Sequence, residues 1–305
     1  MASILLTGGA GFIGSHVAEA LLAAGHKIVI VDNLSTGSRS NLPAGVEFHQ
    51  LDVSSSNLGE LFARHNFDTI IHHAAQVDVR HSMREPASDV LINVVGSLRL
   101  MEWSRLYNVG KFIFASTGGA IYGEQDYFPA DEQHPVRPVS IYGADKLAVE
   151  RYLYVFNQDC GLNVVCLRYA NVYGPRQNPS GEAGVVAIFT GRMIAGKPVS
   201  IHGDGRQTRD YVYVGDVARA NVKALDLTGY HVLNIGTGIE TDVVGLSEKL
   251  SKLTVYNQQP AFLPRQPGEQ LRSCINAGLA KRVLKWEPMV GLDEGLKKTV
   301  ESFKV

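Results

Sequence analysis

The chain has 305 residues, and its 29 Lys and Arg residues against 30 Asp and Glu residues give a formal net charge of −1. This length allows one large core with a smaller lobe, and the balanced charge without a basic block argues against a nucleic-acid or membrane surface. No apolar stretch approaches the roughly 20 residues of a membrane span, and no signal-peptide pattern is seen at the N-terminus. The three cysteines have no metal-like spacing, so we expect no metal site and reduced thiols in the cytoplasm.

Short apolar segments alternate with amphipathic segments through the first half of the chain. The pattern predicts helices over 12–25, around 57–65, over 88–107 and from Tyr142 to about Cys160, and strands over 3–7, 27–32, 46–53, 68–75, 111–117 and from 163. Because the strands are apolar throughout, they indicate a parallel sheet covered on both faces. We therefore expect an α/β, Rossmann-type doubly wound fold that binds ligands beyond the carboxyl ends of its strands.

The pattern changes after Gly174. It predicts a loop over 175–184, helices over 185–196 and 215–225, strand-like structure over 199–214 and a strand over 231–238. We expect residues 1–170 to form a nucleotide-binding domain and residues 171–305 to form a smaller C-terminal substrate lobe. Elements near 210–238 are expected to return to the main sheet.

A glycine-rich turn lies between the first predicted strand and the first predicted helix. Gly8, Gly11 and Gly14 would let backbone N–H groups, including those of Phe12 and Ile13, meet a pyrophosphate at the helix N-terminus. Such turns also occur without a ligand, but here the strand–turn–helix context favours dinucleotide binding.

An aspartate at the end of the second predicted strand bears on which dinucleotide is bound. Asp32 can accept hydrogen bonds from a ribose and would repel a 2′-phosphate, and no Arg follows it directly. NAD is therefore favoured over NADP. Asp52, near the end of the third predicted strand, could meet the adenine amine, although a turn-forming Asp is nearly as plausible there.

Tyr142 and Lys146 lie four residues apart in a predicted helix, so both project from one face. An ammonium group near a phenol lowers its pKa and favours the phenolate, which could take a proton from a sugar hydroxyl. Ser116 and Thr117 end the fifth predicted strand, where a hydroxyl could hydrogen-bond the same substrate oxygen. A solvated Tyr–Lys pair and ordinary loop hydroxyls are the alternatives.

The sequence resembles the extended short-chain dehydrogenases/reductases of the UDP-glucose 4-epimerase type. The resemblance rests on TGGAGFIGSH, VDNLSTG, HHAAQ, FASTGGAIYGE, YGADK, RYANVYGPRQ, GEAGVVAIF and GDGRQTRDYVYVGDVA, which occur in this order over nearly the whole chain. It implies an isomerase that inverts carbon 4 of a UDP-hexose by transient oxidation with bound NAD. It also implies a homodimer formed through the helices at about 88–107 and 142–158.

The resemblance further implies roles for individual residues. Tyr142 would be the base, Lys146 would hold the nicotinamide ribose, and Thr117 would bind the sugar hydroxyl, with Ser116 as the alternative. Residues near the cofactor would be Asn33, Ser35, Thr36, Gly37, Asp52, Val53, Ala74, Ala75, Asn93 and Tyr169. Residues near the UDP-sugar would be Asn171, Ser200, His202 and Arg209, although His202 could equally be an ordinary strand residue.

Two features distinguish this sequence within that resemblance. Related dehydratases carry an acidic pair after the Thr, and decarboxylases usually carry a Glu, whereas Gly118 and Gly119 follow Thr117 here. Without an acid or base at this position, a keto sugar has no obvious route other than reduction. Reduction from the other face inverts carbon 4, which is epimerisation. The alternatives are an epimerase of another UDP-sugar, a uronate or pentose, and a non-catalytic NAD-binding regulator.

The second feature is a loop near the C-terminus. The usual phosphate-binding Arg is replaced by Gln266, so Arg265 would need to reach the phosphate, while Glu269 fits the acidic position that meets the ribose. Ser273 falls where, by resemblance, a small residue leaves room for an N-acetyl group. The enzyme would then also interconvert UDP-N-acetylhexosamines.

Overall fold

The structure is a computed structural model that describes residues 1–179, 184–265 and 270–304. Its strands are β1 (Ser3–Thr7), β2 (Lys27–Asp32), β3 (Glu47–Gln50), β4 (Thr69–His72), β5 (Lys111–Thr117), β6 (Asn163–Tyr169), β7 (Asn171–Tyr173), β8 (Ser200–His202), β9 (Thr208–Tyr213), β10 (Tyr230–Ile235), β11 (Glu240–Asp242), β12 (Ala261–Leu263) and β13 (Arg272–Ser273).

The α-helices are α1 (Phe12–Ala23), α2 (Leu58–Arg64), α3 (Val79–Arg84), α4 (Pro86–Val90), α5 (Gly96–Leu106), α6 (Gly118–Tyr122), α7 (Ile141–Cys160), α8 (Val185–Ile194), α9 (Val214–Ala224), α10 (Val243–Thr254), α11 (Gly278–Val283) and α12 (Leu292–Ser302). A 3₁₀ turn spans Arg39–Asn41, and a π-helical turn, Leu91–Val95, joins α4 to α5. Within the described ranges, no helix has the length and apolar character that crossing a membrane requires.

The main sheet has seven parallel strands in the order β10-β6-β5-β4-β1-β2-β3. From β1 the chain proceeds outward through β2 and β3, and then returns to β4 on the other side of β1. Ligands of doubly wound sheets bind beyond the carboxyl ends of the strands at such a reversal. The predicted Rossmann-type fold is confirmed.

Most strands of this sheet are apolar because helices cover both of its faces. Successive strand residues point to opposite faces: Leu6 packs in the cluster that contains the apolar faces of α1 and α9, and Leu5 packs in the cluster that contains those of α2, α5 and α7. Both leucines are fully buried. Burial from two sides removes the polar alternation that a sheet with one wet face would show.

The described part of 171–305 contributes to the main sheet and also forms a core of its own. β10 pairs with β6, and α9 packs against α1. β9 pairs with β7, β11 and β13, and β8 pairs with β12. A separate apolar cluster joins α8, α10 and α12 to these short strands.

Several predicted elements differ from the observed ones. The strands predicted over 46–53 and 68–75 shorten to β3 and β4, because the residues after each leave the sheet and enter loops at its edge. The single helix predicted over 88–107 is divided by the π-helical turn. The segment after Thr117, which we expected to be a loop, forms α6, with the Thr117 hydroxyl accepting the N–H of Ala120 (3.4 Å) at its N-terminus.

Candidate active site

The glycine turn between β1 and α1 packs so tightly that side chains are excluded. Gly8 has φ +71°, and a Cβ there would lie 2.5 Å from the backbone N of Ala74. A Cβ on Gly14 would overlap the carbonyl oxygen of Gly8. Gly11, the N-cap of α1, places no side chain over the first N–H groups of the helix, which are those of Phe12 and Ile13. This cradle fits a pyrophosphate, as predicted for NAD.

A hydrogen-bonded group of polar residues lies beside this cradle. The Asp32 carboxylate accepts the N–H groups of Ala10 (3.0 Å) and Leu34 (2.8 Å), and its oxygens keep further lone pairs for ribose hydroxyls. The Asn33 amide donates to Asp52 (2.8 Å). Burial opposes ionisation of Asp52, but hydrogen bonds from Ser54 and Asn33 lower its pKa. Two carboxylates are therefore held at the ends of β2 and β3.

The other residues predicted at the cofactor border the same region. Ser35 donates its N–H to the Asn33 side chain (2.9 Å), and Gly37 packs so closely on Ala10 that a Cβ would meet the Ala10 carbonyl at 2.9 Å. Thr36 is the chain neighbour of Ser35 and Gly37, and Ala75 is that of Ala74. Among the residues that the structure describes, neither makes a side-chain contact that would define its role. Val53 is buried in the apolar core.

Tyr142 and Lys146 occupy the first two turns of α7. Ser140 caps this helix by accepting the N–H of Gly143 (3.1 Å), and Ser82 of α3 accepts the N–H of Tyr142 (3.2 Å). The Lys146 ammonium donates to the Ala115 carbonyl (3.0 Å) and lies 5.8 Å from the centre of the Tyr142 ring. The predicted juxtaposition on one helix face is present.

The expected lowering of the Tyr142 pKa is not observed. Burial and the negative charge of Asp89 raise the pKa of the phenol. Burial lowers the pKa of Lys146 to about 8, although Asp89, Asp145 and Glu150 act in the opposite direction. Desolvation by burial therefore outweighs the favourable effect of the neighbouring ammonium group.

The two hydroxyls at the end of β5 have different surroundings. Ser116 is buried and donates to Glu150 (2.6 Å), and Arg168 binds the same carboxylate through two nitrogens (2.9 and 2.6 Å). Arg168 also donates to the Tyr122 hydroxyl (3.0 Å). The Ser116 proton is thus committed to a buried network, whereas Thr117 remains partly exposed at the start of α6.

Helix α6 brings the end of β5 against the start of α7. A Cβ on Gly143 would lie 2.5 Å from the Ala120 carbonyl oxygen. The first turn of α7, which carries Tyr142, therefore packs directly against α6. On another side of α6, a Cβ on Gly119 would lie 3.2 Å from the Ser273 hydroxyl. Gly119 and the small Ser273 therefore face each other.

Tyr169 lies at the end of β6 in a buried polar cluster. Its hydroxyl accepts the side-chain amide of Asn221 (2.9 Å) and lies 3.2 Å from Nε2 of His73, whose ring stacks on the Tyr169 ring at 6.1 Å. Burial lowers the pKa of His73 to about 3, so its imidazole is neutral. Asn93, in the π-helical turn, binds both backbone groups of Gln76 (2.9 and 3.0 Å) and thereby fixes the segment after Ala75.

The residues predicted to bind the UDP-sugar lie on the small sheets of 171–305. Arg209 and Ser273 are paired in register across β9 and β13, and Asn171 is paired with Tyr211 across β7 and β9. The Arg209 guanidinium also donates to the Thr208 carbonyl (2.8 Å). The strand pairing brings these three residues, which are distant in sequence, into one sheet.

Ser200 and His202 lie on β8, which belongs to a different, two-stranded sheet. β8 pairs with β12, and Nδ1 of His202 lies 3.2 Å from the Pro264 carbonyl. A Cβ built on Gly203 would lie 3.7 Å from the Cβ of Arg265, so Arg265 borders the turn that follows β8. Gln266 and Glu269 lie outside the described residues.

Motif reasoning missed some residues of this site. Asp145 was visible within YGADK as an acid beside Lys146, a signal that was not used. Asp89 and Asn221 carry no comparable signal, because only the tertiary fold brings α4 against α7 and α9 beneath Tyr169.

A sequence model of the NAD dependent epimerase/dehydratase family matches residues 4–236. A curated relative, a UDP-glucose 4-epimerase of Mycolicibacterium smegmatis, is 42% identical over 306 residues, which cover 98% of each chain.

Two solved structures are similar over almost their full length. A UDP-glucose 4-epimerase of Thermotoga maritima with UDP-glucose is 48% identical, with a TM-score of 0.97 over 99% of this chain and 98% of that one. A UDP-glucose 4-epimerase of Thermus thermophilus in complex with NAD is 43% identical, with a TM-score of 0.93 over 99% of both chains.

Proposed function

The chain belongs to the NAD dependent epimerase/dehydratase family, and from this premise we propose that it interconverts UDP-glucose and UDP-galactose with bound NAD. The observation that carries the proposal is that one fold holds both the Tyr142–Lys146 pair on α7 and the glycine cradle at the end of β1. Relatives and solved structures that cover nearly the whole chain are UDP-glucose 4-epimerases. The enzyme is an isomerase.

The protein residues position the sugar and move its proton. When bound, NAD would supply the hydride chemistry of the reaction. Tyr142, as phenolate, accepts the proton of the 4-hydroxyl and later returns it. Lys146 supplies the positive charge that offsets the burial of this phenolate. Thr117, whose side chain is partly exposed beside α6, hydrogen-bonds the same oxygen, and the committed Ser116 hydroxyl maintains the network behind it.

The space after Thr117 favours epimerisation over elimination. Gly118 is buried, and a Cβ there would lie 3.0 Å from two side-chain carbons of Ile275. Neither Gly118 nor Gly119 offers the acid or base that water loss from the neighbouring carbon needs. The keto sugar is therefore reduced again, and reduction from its opposite face inverts carbon 4.

The small sheets of 171–305 hold the nucleotide-sugar. Asn171 and Arg209, on neighbouring strands, grip the diphosphate, for which a guanidinium is suited. Ser200 and His202 border the uracil, and Arg265 approaches the phosphate from the adjoining turn. By resemblance, a small residue at the position of Ser273 leaves room for an N-acetyl group, so we include UDP-N-acetylhexosamines as substrates.

The enzyme is a homodimer that associates through α5 and α7. Large apolar side chains on the outer surfaces of the π-helical turn, α5 and α7 are exposed in the single chain: Leu91, Leu106, Tyr152 and Val155. Covering these side chains removes apolar surface from water, which stabilises association.

The cytoplasm is the compartment that we propose. All three cysteines are free, and Cys160 is exposed, so a reducing environment suits the chain.

An assay that mixes purified protein with UDP-galactose and detects UDP-glucose tests the proposed function. We expect Tyr142→Phe to lower kcat by about 10²–10⁴-fold, because the proton acceptor is lost. Tyr127→Phe, which alters an exposed tyrosine of the 123–140 segment, is the matched control and should retain the rate. Full activity of Tyr142→Phe would refute the assigned base, and wild-type protein without epimerase activity would refute the function.

A further inference from the structure

Two imidazoles and one carboxylate converge at the outer edge of the main sheet. Nε2 of His49 lies 2.8 Å from Oε1 of Glu47, and Nε2 of His65 lies 3.1 Å from the same oxygen. The three atoms that could ligate an ion lie within 4.8 Å of one another, and the described residues hold no other such group of three or more His, Cys, Asp or Glu. The proposed epimerase reaction uses none of these three side chains.

The strand fixes two members of this cluster. Glu47 and His49 are two residues apart on β3, so their side chains leave the same face of the strand. Their backbones are held in register against Val29 and Val31 of β2. β3 is the last strand of the sheet, which leaves room for an ion beside it.

The third member comes from the end of α2. His65 follows the last residue of this helix and donates its backbone N–H to the Leu61 carbonyl (2.9 Å). Its ring stacks on the ring of Phe67, with the centres 5.3 Å apart, and Phe67 is buried in the core. The direction of the imidazole is therefore set by packing.

The spacing of the three atoms suits a small cation. Zinc binds nitrogen and oxygen ligands at about 2.0–2.2 Å with tetrahedral angles, which places ligand atoms about 3.3–3.6 Å apart. Small outward rotations of the side chains would open the present contacts to that spacing. The side chains of Glu47, His49 and His65 are 47%, 29% and 26% exposed, so they can rotate and an ion can reach them from solvent.

The ligand types select the class of metal. Imidazole nitrogen suits zinc, copper, nickel and cobalt, whereas calcium and magnesium prefer sites made of oxygen. Two histidines and one glutamate form a known ligand set for zinc, with water in the fourth position. Arg64, the chain neighbour of His65, is paired with Glu60 (3.2 Å), so its positive charge is balanced by a carboxylate.

We propose that Glu47, His49 and His65 bind a transition-metal dication of the zinc class, which links β3 to the C-terminal end of α2. The ligands lie far enough apart in the chain to converge only in the folded protein, so binding stabilises the fold. The proposal is independent of the proposed function. The expectation of no metal site rested on the spacing of the cysteines, and this ligand set contains none.

Calorimetric titration of Zn²⁺ into the full chain, without an added histidine tag and after treatment with a chelator, tests the site at about pH 7.5, where imidazole is mostly neutral. We expect one saturable site per chain. His65→Gln and Glu47→Gln should each weaken the binding at least tenfold, because even the outer partners of metal ligands change affinity by about 10–100-fold.

The matched control alters a histidine on the opposite edge of the same sheet. His231, on β10, is in no cluster of metal-ligating side chains within the described ranges, so His231→Gln should keep the wild-type affinity. Cys160→Ser should keep it as well, which tests the exposed thiol as an alternative ligand. Mg²⁺ in place of Zn²⁺ should not bind, because the site is rich in nitrogen.

NMR spectra of the histidine rings locate the ion. Added Zn²⁺ should shift two ring resonances, one absent from His49→Gln and the other from His65→Gln. The absence of saturable binding by the wild type would overturn the proposal, as would equal affinity of wild type and His65→Gln or loss of binding in Cys160→Ser. These measurements use no sugar substrate, so their failure leaves the proposed function standing, and an inactive enzyme leaves the metal site standing.

Discussion

At the scale of single residues, surroundings decide what a side chain can do. Ser116 and Thr117 are adjacent hydroxyls at the end of one strand, yet Ser116 donates to a buried carboxylate and Thr117 stays partly exposed. Burial and the charge of Asp89 likewise raise the pKa of the Tyr142 phenol, although the Lys146 ammonium lies 5.8 Å from the centre of its ring. A residue type at a motif position identifies a candidate, and its contacts identify its role.

Ser273 allows a test of substrate size at this scale. We expect Ser273→Tyr to reduce activity on UDP-N-acetylgalactosamine at least tenfold more than activity on UDP-galactose, because a bulky residue at this position would exclude the N-acetyl group. Rates on both sugar pairs measure this, and Ser251→Thr, in α10, is the control. Wild-type activity on UDP-galactose with none on the N-acetyl sugars would contradict the assigned role of Ser273.

At the scale of elements, function depends on how closely neighbouring elements approach. The glycine turn of β1 and α1 lies against the loop after β4, and the start of α7 lies against α6. A π-helical turn places Asn93 where it can bind both backbone groups of Gln76. These close approaches require the absence of side chains, which a glycine pattern can reveal.

Gly8→Ala tests the close approach of the turn. The new Cβ would be 2.5 Å from the Ala74 backbone at φ +71°, whereas Gly25→Ala, at φ +82°, would meet nothing within 4 Å. Both variants carry the strain of a positive φ, about 1 kcal/mol. We expect Gly8→Ala alone to lose NAD binding, as measured by calorimetry on cofactor-depleted protein, and to unfold more easily. Equal NAD affinity for the two variants would show that the clash does not matter.

At the scale of the whole molecule, the site lies where two cores meet. The main sheet supplies the cradle and α7, while the small sheets of 171–305 carry Asn171, Arg209 and Ser273. β10 and α9, which follow β9 in the chain, return to the main sheet and secure this arrangement. Apolar side chains such as Tyr152 and Val155 are exposed on the outer surface of α7.

Val155→Lys tests the proposed dimer. Val155 is 56% exposed on α7, and a charge in a covered apolar interface is destabilising. We expect light scattering to show a dimer for wild type and a monomer for Val155→Lys. Ile239→Lys, which alters an apolar residue that is 67% exposed elsewhere, should leave the dimer intact. A monomeric wild type would refute the proposal.

Local sequence determined the parts of this protein that depend on near neighbours. β1, β2 and β5 have the predicted limits because each is a continuous apolar run between polar or glycine residues. The glycine turn and the Tyr142–Lys146 spacing could be identified in the same way, because each acts over a few residues. The ordered motifs also indicated the family, which the comparisons confirm.

Only the tertiary structure decided the electrostatics of the site. The raised pKa of Tyr142, the hydrogen bond from Ser116 to Glu150 and the packing of α4 against α7 all depend on residues that are far apart in sequence. Desolvation and Coulomb interactions depend on distances through the fold and not on separation along the chain. The sequence could therefore predict which groups are available, while packing fixed which of them are charged.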